Sequence, residues 1–156
     1  MAPSLDIYVW VSSDDRASVL KLFIDRYVDT TDPGEPRFDA LTRVFVTGAP
    51  AVGDREELAE LRLHPDDGET FAIYLHGKIH DRAIITITEE GDLVLGLDID
   101  YTENDPGDLY RASDLMVTLV KEFGAAGGLT GVELAPPRSR AQWREDAHVL
   151  LRTGSV

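Results

Sequence analysis

Five carboxyl groups lie close together in the second half of the chain, between residues 98 and 108. No Lys or Arg interrupts that stretch, and it contains one tyrosine and is followed by another. Such clusters bind hard cations such as Ca²⁺ or attract the basic groups of a partner protein. The stretch lacks the Gly and the acid spacing of an EF-hand loop, so a basic protein partner is the favoured interpretation. The predicted partner-binding residues are Asp98, Asp100, Tyr101, Glu103, Asp105, Asp108 and Tyr110.

Part of this stretch, Asp98, Asp100 and Thr102, resembles the DxDxT motif of haloacid dehalogenase-like phosphatases. In that family the first Asp attacks phosphorus, and a Lys and acidic metal ligands follow on later parallel strands. Here only 54 residues follow Thr102, and their one lysine, Lys121, lies within a predicted helix. Side chains of a strand alternate between its two faces, so two Asp residues at positions i and i+2 are also expected on a solvent-exposed face that has no catalytic role. A solvated strand face is the better explanation.

His76, His80 and Asp81 are the weak candidates for a metal site. Two His four residues apart share a face on a helix, but residues 77–79 indicate a connection between strands. Along an extended strand the two imidazoles would lie about 13 Å apart, which is too far for one ion. A tight turn would bring them closer. We expect no metal and no other cofactor.

Motifs for nucleophilic catalysis or phosphate binding are missing from the sequence. It contains no G-x-S-x-G, and the Gly-rich residues 124–131 follow a predicted helix and lead into a strand. Phosphate-binding loops run in the opposite order, from a strand to a helix N-terminus. The absence of cysteine excludes thiolate nucleophiles and thiolate metal sites. The absence of these motifs from the sequence favours a protein without catalytic activity.

The net charge argues against nucleic acid and anionic membranes as partners. The 156 residues include 29 acids and 15 bases, which gives −14, whereas phosphate binding requires clustered Lys and Arg. The charge is unevenly divided, with 24 acids and 9 bases in residues 1–110 but 5 acids and 6 bases in residues 111–156. No apolar run approaches the ~20 residues of a membrane span, and the N-terminus does not resemble a signal peptide. We expect a cytoplasmic protein.

Hydrophobic periodicity and turn residues predict an alternation of strands and helices. The predicted strands are residues 5–11, 41–47, 70–76, 82–88, 93–100 and 129–135. The predicted helices are residues 16–29, 54–62, 106–123 and 139–147. Residues 148–152 are expected to pair briefly with a strand, and residues 153–156 to form a loose tail.

This order predicts one α+β domain over residues 1–156. Consecutive strands with helices before and after them are typical of a sheet that carries helices, unlike the regular alternation of a doubly wound fold. We expect a two-layer sandwich with a mixed or mainly antiparallel sheet of about five or six strands and two main helices. The first strand should be central, because both of its faces are apolar.

Three functions follow from these observations. The favoured hypothesis is an immunity- or antitoxin-type inhibitor that occludes a basic protein partner such as a toxic nuclease. One alternative is a small enzyme or ligand-binding domain with a pocket near Tyr74, His76, His80 and Asp98. Another is a structural or oligomerising subunit. Trp143, which has arginines around it, is either a second partner contact or a cap on the sheet edge.

Overall fold

The computed structural model describes residues 3–102 and 105–156 as a two-layer α+β structure. One antiparallel sheet contains six strands in the order β2-β3-β4-β1-β5-β6. The strands are β1 (Ser4–Val11), β2 (Phe71–His76), β3 (Arg82–Ile87), β4 (Leu93–Asp100), β5 (Gly127–Val132) and β6 (Val149–Gly154). The helices are α1 (Arg16–Tyr27), α2 (Phe38–Thr42), α3 (Asp54–Ala59), α4 (Pro106–Phe123) and α5 (Arg140–Glu145). The predicted fold class is confirmed.

Strand β1 lies in the middle of the sheet, between β4 and β5, as predicted. Successive side chains of a strand point to opposite faces, so β1 contributes to two separate cores. Leu5, Ile7 and Val9 lie in the main core under α1 and α4, whereas Tyr8 and Trp10 belong to a smaller cluster on the opposite face. We call that opposite face the second face of the sheet.

The two long helices begin and end at residues suited to those positions. Asp15 accepts a hydrogen bond from the Ser18 backbone N–H at 3.1 Å, and Asp105 accepts one from the Gly107 N–H at 2.8 Å. Each side chain satisfies a donor that the first helical turn leaves free. Gly124 ends α4 in the left-handed conformation, with φ of 60°. In the described ranges, no helix is long and apolar enough to cross a membrane.

The prediction of a strand at residues 41–47 is wrong. This segment forms the end of α2 and a π-helical turn, Arg43–Thr47. Phe38 and Leu41 are buried on one side at helical spacing, and the Thr42 hydroxyl donates to the Phe38 carbonyl at 3.1 Å. The β-branched and aromatic composition favours a strand, but packing against the core overrides this weak preference.

The C-terminal residues are better ordered than predicted. Strand β6 continues to Gly154, which pairs with Gly127 of β5, so residues 153 and 154 belong to the sheet. Beyond the strand, Ser155 donates its backbone N–H to the Ala126 carbonyl at 3.2 Å. The expectation of a loose tail is therefore wrong for residues 153–155, because they share the hydrogen bonds of the sheet edge.

Candidate functional site

The acids at residues 98–108 do not form one exposed face. Asp98 is 5% exposed and accepts two hydrogen bonds from Arg82, from the backbone N–H at 3.0 Å and from Nε at 2.9 Å. Asp108 is equally buried, accepts the Thr102 N–H at 2.7 Å and pairs with Arg111. Residues 98–108 contain no base, but Arg82 and Arg111 from outside this stretch neutralise Asp98 and Asp108.

The remaining predicted contact residues are divided between the two layers. Asp98 and Asp100 line a cleft on the second face, whereas Asp105 and Asp108 lie at the start of α4 on the other side of the sheet. Tyr110 is 73% exposed, and Tyr101 packs partly against the main core. Glu103 lies outside the described residues. The six described residues therefore belong to at least two surfaces, which corrects the prediction of a single patch.

An open cleft with a volume of about 700 Å³ lies on the second face. Its only basic lining residue is Arg82, which stands against five acids. Leu134 and Ala135 form its wall beside β1. We call it the acidic cleft; it is lined by Ser4, Asp6, Tyr8, Tyr74, Asp81, Arg82, Asp98, Asp100, Glu133, Leu134 and Ala135.

A carboxyl–guanidinium–carboxyl cluster forms the floor of the acidic cleft. Asp6 of β1 and Asp98 of β4 are direct cross-strand partners, so their side chains project side by side from the same face. Arg82 donates from Nη2 to Asp6 Oδ1 at 3.1 Å and from Nε to Asp98 Oδ2 at 2.9 Å. Its guanidinium also lies 5.9 Å from the centre of the Tyr74 ring, within cation–π range. Strand pairing therefore brings the two acids together, and the Arg82 side chain reaches both of them from the neighbouring strand β3.

Burial changes the ionisation of two groups in the acidic cleft. Burial raises the pKa of Asp6 to about 6, while the charge of Arg82 and a backbone hydrogen bond from Leu134 act in the opposite direction. Burial also raises the pKa of Tyr8 well above its usual value, and the negative charge of Asp6 adds to the effect. Asp6 therefore titrates close to neutral pH, while Tyr8 stays protonated and serves as a hydrogen-bond donor.

Tyr8 and Gly96 set the shape of the cleft floor. A Cβ atom at position 96 would lie 2.6 Å from the Tyr8 ring, so only glycine leaves room for that ring on the neighbouring strand. The Tyr8 hydroxyl donates to the Leu134 carbonyl and ties the wall of the cleft to the sheet. Next to it, Glu133 has a left-handed backbone with φ of 44° and donates its N–H to the Ser4 carbonyl at 2.9 Å.

The histidine metal candidates do not form a site. His76 Nδ1 lies 3.0 Å from the Asp32 carbonyl, and His80 Nδ1 lies 3.0 Å from the Asp98 carbonyl, so each ring has its own backbone partner. Within residues 3–102 and 105–156, no group of three or more His, Asp or Glu side chains is placed to hold a metal ion. Asp81 lines the acidic cleft instead.

Trp143 is part of the protein interior. It is 4% exposed, and its ring meets that of Trp10 edge to face, with centroids 5.6 Å apart. The prediction of a second partner contact at this residue is wrong, because α5 folds back over the second face and covers the apolar end of β1. This cover ends near Leu134, where the acidic cleft begins.

Four lining residues of the acidic cleft are not among the predicted site residues: Asp6, Tyr8, Arg82 and Glu133. One signal for Asp6 was present, since it is the only charged residue in a strand otherwise typical of a buried centre. Nothing in the sequence places Arg82 between two acids, because Asp6 lies on a strand 76 positions before Arg82, although Asp98 lies on the strand that follows Arg82.

No protein-family model, curated protein or solved structure matches the chain. The function is therefore inferred from the chemistry of the acidic cleft.

Proposed function

We propose that the protein is a non-enzymatic acidic binding protein and that the acidic cleft receives basic side chains of a protein partner. The observation that carries the proposal is the balance of five carboxyl groups against one guanidinium in an open concave surface. A cleft lined by one sign of charge focuses the electric field and speeds the approach of an oppositely charged partner. The net charge of −14 acts in the same direction over longer distances.

The chemistry of the cleft favours arginine or lysine side chains as the groups that enter it. Asp81, Asp100 and Glu133 are exposed at the cleft, and none of them forms an ion pair within the described part of the chain. Tyr74 is 46% exposed beside them and offers a ring face to a cation. Tyr and Arg dominate the binding energy of many interfaces, and carboxylates orient guanidinium groups through paired hydrogen bonds.

A nucleic-acid-binding protein is the partner class that fits best, because its active surface is basic. An acidic protein that covers such a surface blocks access to phosphate, as an immunity- or antitoxin-type inhibitor of a toxic nuclease would. The partner-binding surface is then the acidic cleft, where Asp100 is exposed and the buried Asp98 holds Arg82 in the floor. It does not include Asp108, which lies in the first turn of α4 on the other side of the sheet.

Charge reversal tests the proposal, with a short arginine-only peptide as the probe. The cleft variant carries Asp81→Lys, Asp100→Lys and Glu133→Lys. The control carries Glu56→Lys, Asp66→Lys and Asp114→Lys, three exposed acids outside the cleft. Both variants change the net charge equally. Titration calorimetry should show at least about tenfold weaker binding for the cleft variant than for the control.

Backbone amide NMR locates the contact in the same titration. Wild-type shifts should concentrate at Tyr74, Arg82 and Glu133, and the binding constant should fall steeply as salt is added. If both variants weaken binding equally, attraction is due to net charge alone and the proposal is overturned.

A second candidate function is a small-molecule site in the same cleft. It is favoured by the cleft volume, which is within the usual range of about 300–1,000 Å³, and by Asp6, whose pKa of about 6 suits a general acid or base. Saturable binding of a small organic diamine, with no detectable binding of the arginine peptide, would favour this candidate over a protein partner.

A further inference from the structure

Strand β6 leaves one edge of the sheet open. It is the last strand in the order β2-β3-β4-β1-β5-β6, and no backbone hydrogen bond joins its outer side to any described residue. An open edge presents a row of unpaired N–H and C=O groups that pair readily with another strand.

The opposite edge of the sheet is partly closed by the chain itself. At the end of β2, His76 donates its backbone N–H to the Pro33 carbonyl at 2.8 Å and accepts the Asp29 N–H at 2.9 Å. Val28 also forms a bridge with Gly77 just beyond the strand. The segment before α2 thus occupies an edge position beside β2, and no described segment does the same for β6.

The usual protections of an exposed edge are weak in β6. The strand contains no Lys or Pro, and Leu150 is 50% exposed. Its one charged residue, Arg152, is turned back onto the protein, where Nη1 donates to the Trp143 carbonyl at 2.6 Å and Nη2 to the Asp146 carbonyl at 3.3 Å. That guanidinium therefore does not place its charge along the outer edge of the strand, where it would oppose pairing with another strand.

The charge distribution indicates which strand can approach this edge. Two copies of a chain of charge −14 repel each other over most of their surfaces. Residues 111–156, however, hold five acids and six bases, and they supply β5, α5, β6 and most of α4. A second copy can therefore approach along β6 with little repulsion. Two copies of β6, antiparallel and related by a twofold axis, can pair each other's free backbone N–H and C=O groups.

We propose that β6 pairs with β6 of a second copy of this chain, so that two six-stranded sheets join into one continuous sheet. This inference does not depend on the proposed function, because the acidic cleft lies on the face of β1, β3 and β4 and β6 does not line it. The two interactions also differ in their response to salt. Salt screens the repulsion between copies and should strengthen the dimer, whereas it weakens binding of a basic partner.

The experiment measures molecular mass by sedimentation equilibrium over a range of protein concentrations. Wild type should dimerise, and Leu150→Lys should weaken the dimer at least about tenfold, because each copy then brings a positive charge to the seam. Val117→Lys is the matched control, since Val117 is 40% exposed on α4 and its replacement adds the same charge elsewhere. It should leave the dimer intact.

Amide hydrogen exchange gives a second readout that does not depend on any variant. Amides of residues 149–154 should exchange more slowly as the concentration rises, while those of β2 should not change. The proposal is overturned if wild type stays monomeric at every concentration, or if Leu150→Lys and Val117→Lys weaken the dimer equally.

Discussion

Replacing Asp6 with Asn is predicted to stabilise the protein at neutral pH, although Asp6 accepts a hydrogen bond from Arg82. Asp6 is 2% exposed, and burial raises its pKa from 3.8 to about 6 despite that partner. A tenfold change in proton affinity corresponds to about 1.4 kcal/mol, so ionised Asp6 destabilises the folded state by about 3 kcal/mol at pH 7. Asn resembles the neutral carboxyl group, and we expect Asp6→Asn to be more stable at pH 7 by about 2 to 3 kcal/mol.

The contribution of Asp6 to stability depends on pH in the opposite direction to that of most carboxylates in ion pairs. The pKa of Asp6 is higher in the folded state than in the unfolded state, so the folded protein holds the proton more tightly. Its contribution to stability is therefore most favourable below about pH 4, and it is lost as the pH rises through about 6. The difference between Asp6→Asn and wild type should be near zero at pH 4 and reach its full size above pH 7.

Urea unfolding between pH 4 and pH 8 measures this difference directly. Trp10 and Trp143 are both buried, so their fluorescence reports the loss of the second core. Asp98→Asn is the matched control; it removes the carboxylate that accepts both the N–H and the guanidinium of Arg82, and we expect it to give no stabilisation. A lower stability of Asp6→Asn than of wild type at pH 7, or a difference that does not change with pH, would contradict this prediction.

Two further predictions concern the walls of the acidic cleft and the second core. Gly96→Ala should lower the free energy of unfolding by about 1 to 3 kcal/mol, because the new methyl group displaces the Tyr8 ring and strains its bond to Leu134; urea unfolding measures this. Trp143→Ala should lower it by about 3 to 5 kcal/mol, because it leaves a cavity beside Trp10. Below its unfolding temperature, Trp143→Ala should bind the arginine peptide with the affinity of wild type. A tenfold lower affinity would show that Trp143 does contribute to partner binding.

A buried charge that lowers stability points to a use for that charge. Asp6 occupies the centre of the sheet, where an apolar residue would pack without this loss. Natural proteins keep such residues mainly at functional sites, where stability is given up for binding or chemistry. The same variant that stabilises the protein, Asp6→Asn, is therefore expected to reduce the affinity of the acidic cleft for a cation.

Local sequence patterns were enough to predict most elements and the fold class. The two-sided apolar character of residues 5–11 identified a central strand, and Asp105 followed by proline marked the start of α4. These features are predictable because capping, turn formation and side-chain alternation depend on residues only a few positions apart. Residues 41–47 were mispredicted because their strand preference is weaker than their packing against the core.

The amount of charge, its concentration in residues 1–110 and the α+β arrangement follow from the order of the amino acids along the chain. Which acids are neutralised depends on contacts between distant parts of the chain, since Arg82 binds Asp6 and Asp98, two strand partners that are 92 positions apart. The tertiary structure also divides the stretch from Asp98 to Asp108 between the two sides of the sheet. The physical reason is that burial and ion pairing depend on neighbours in space, and a run of like charges along the chain does not specify those neighbours.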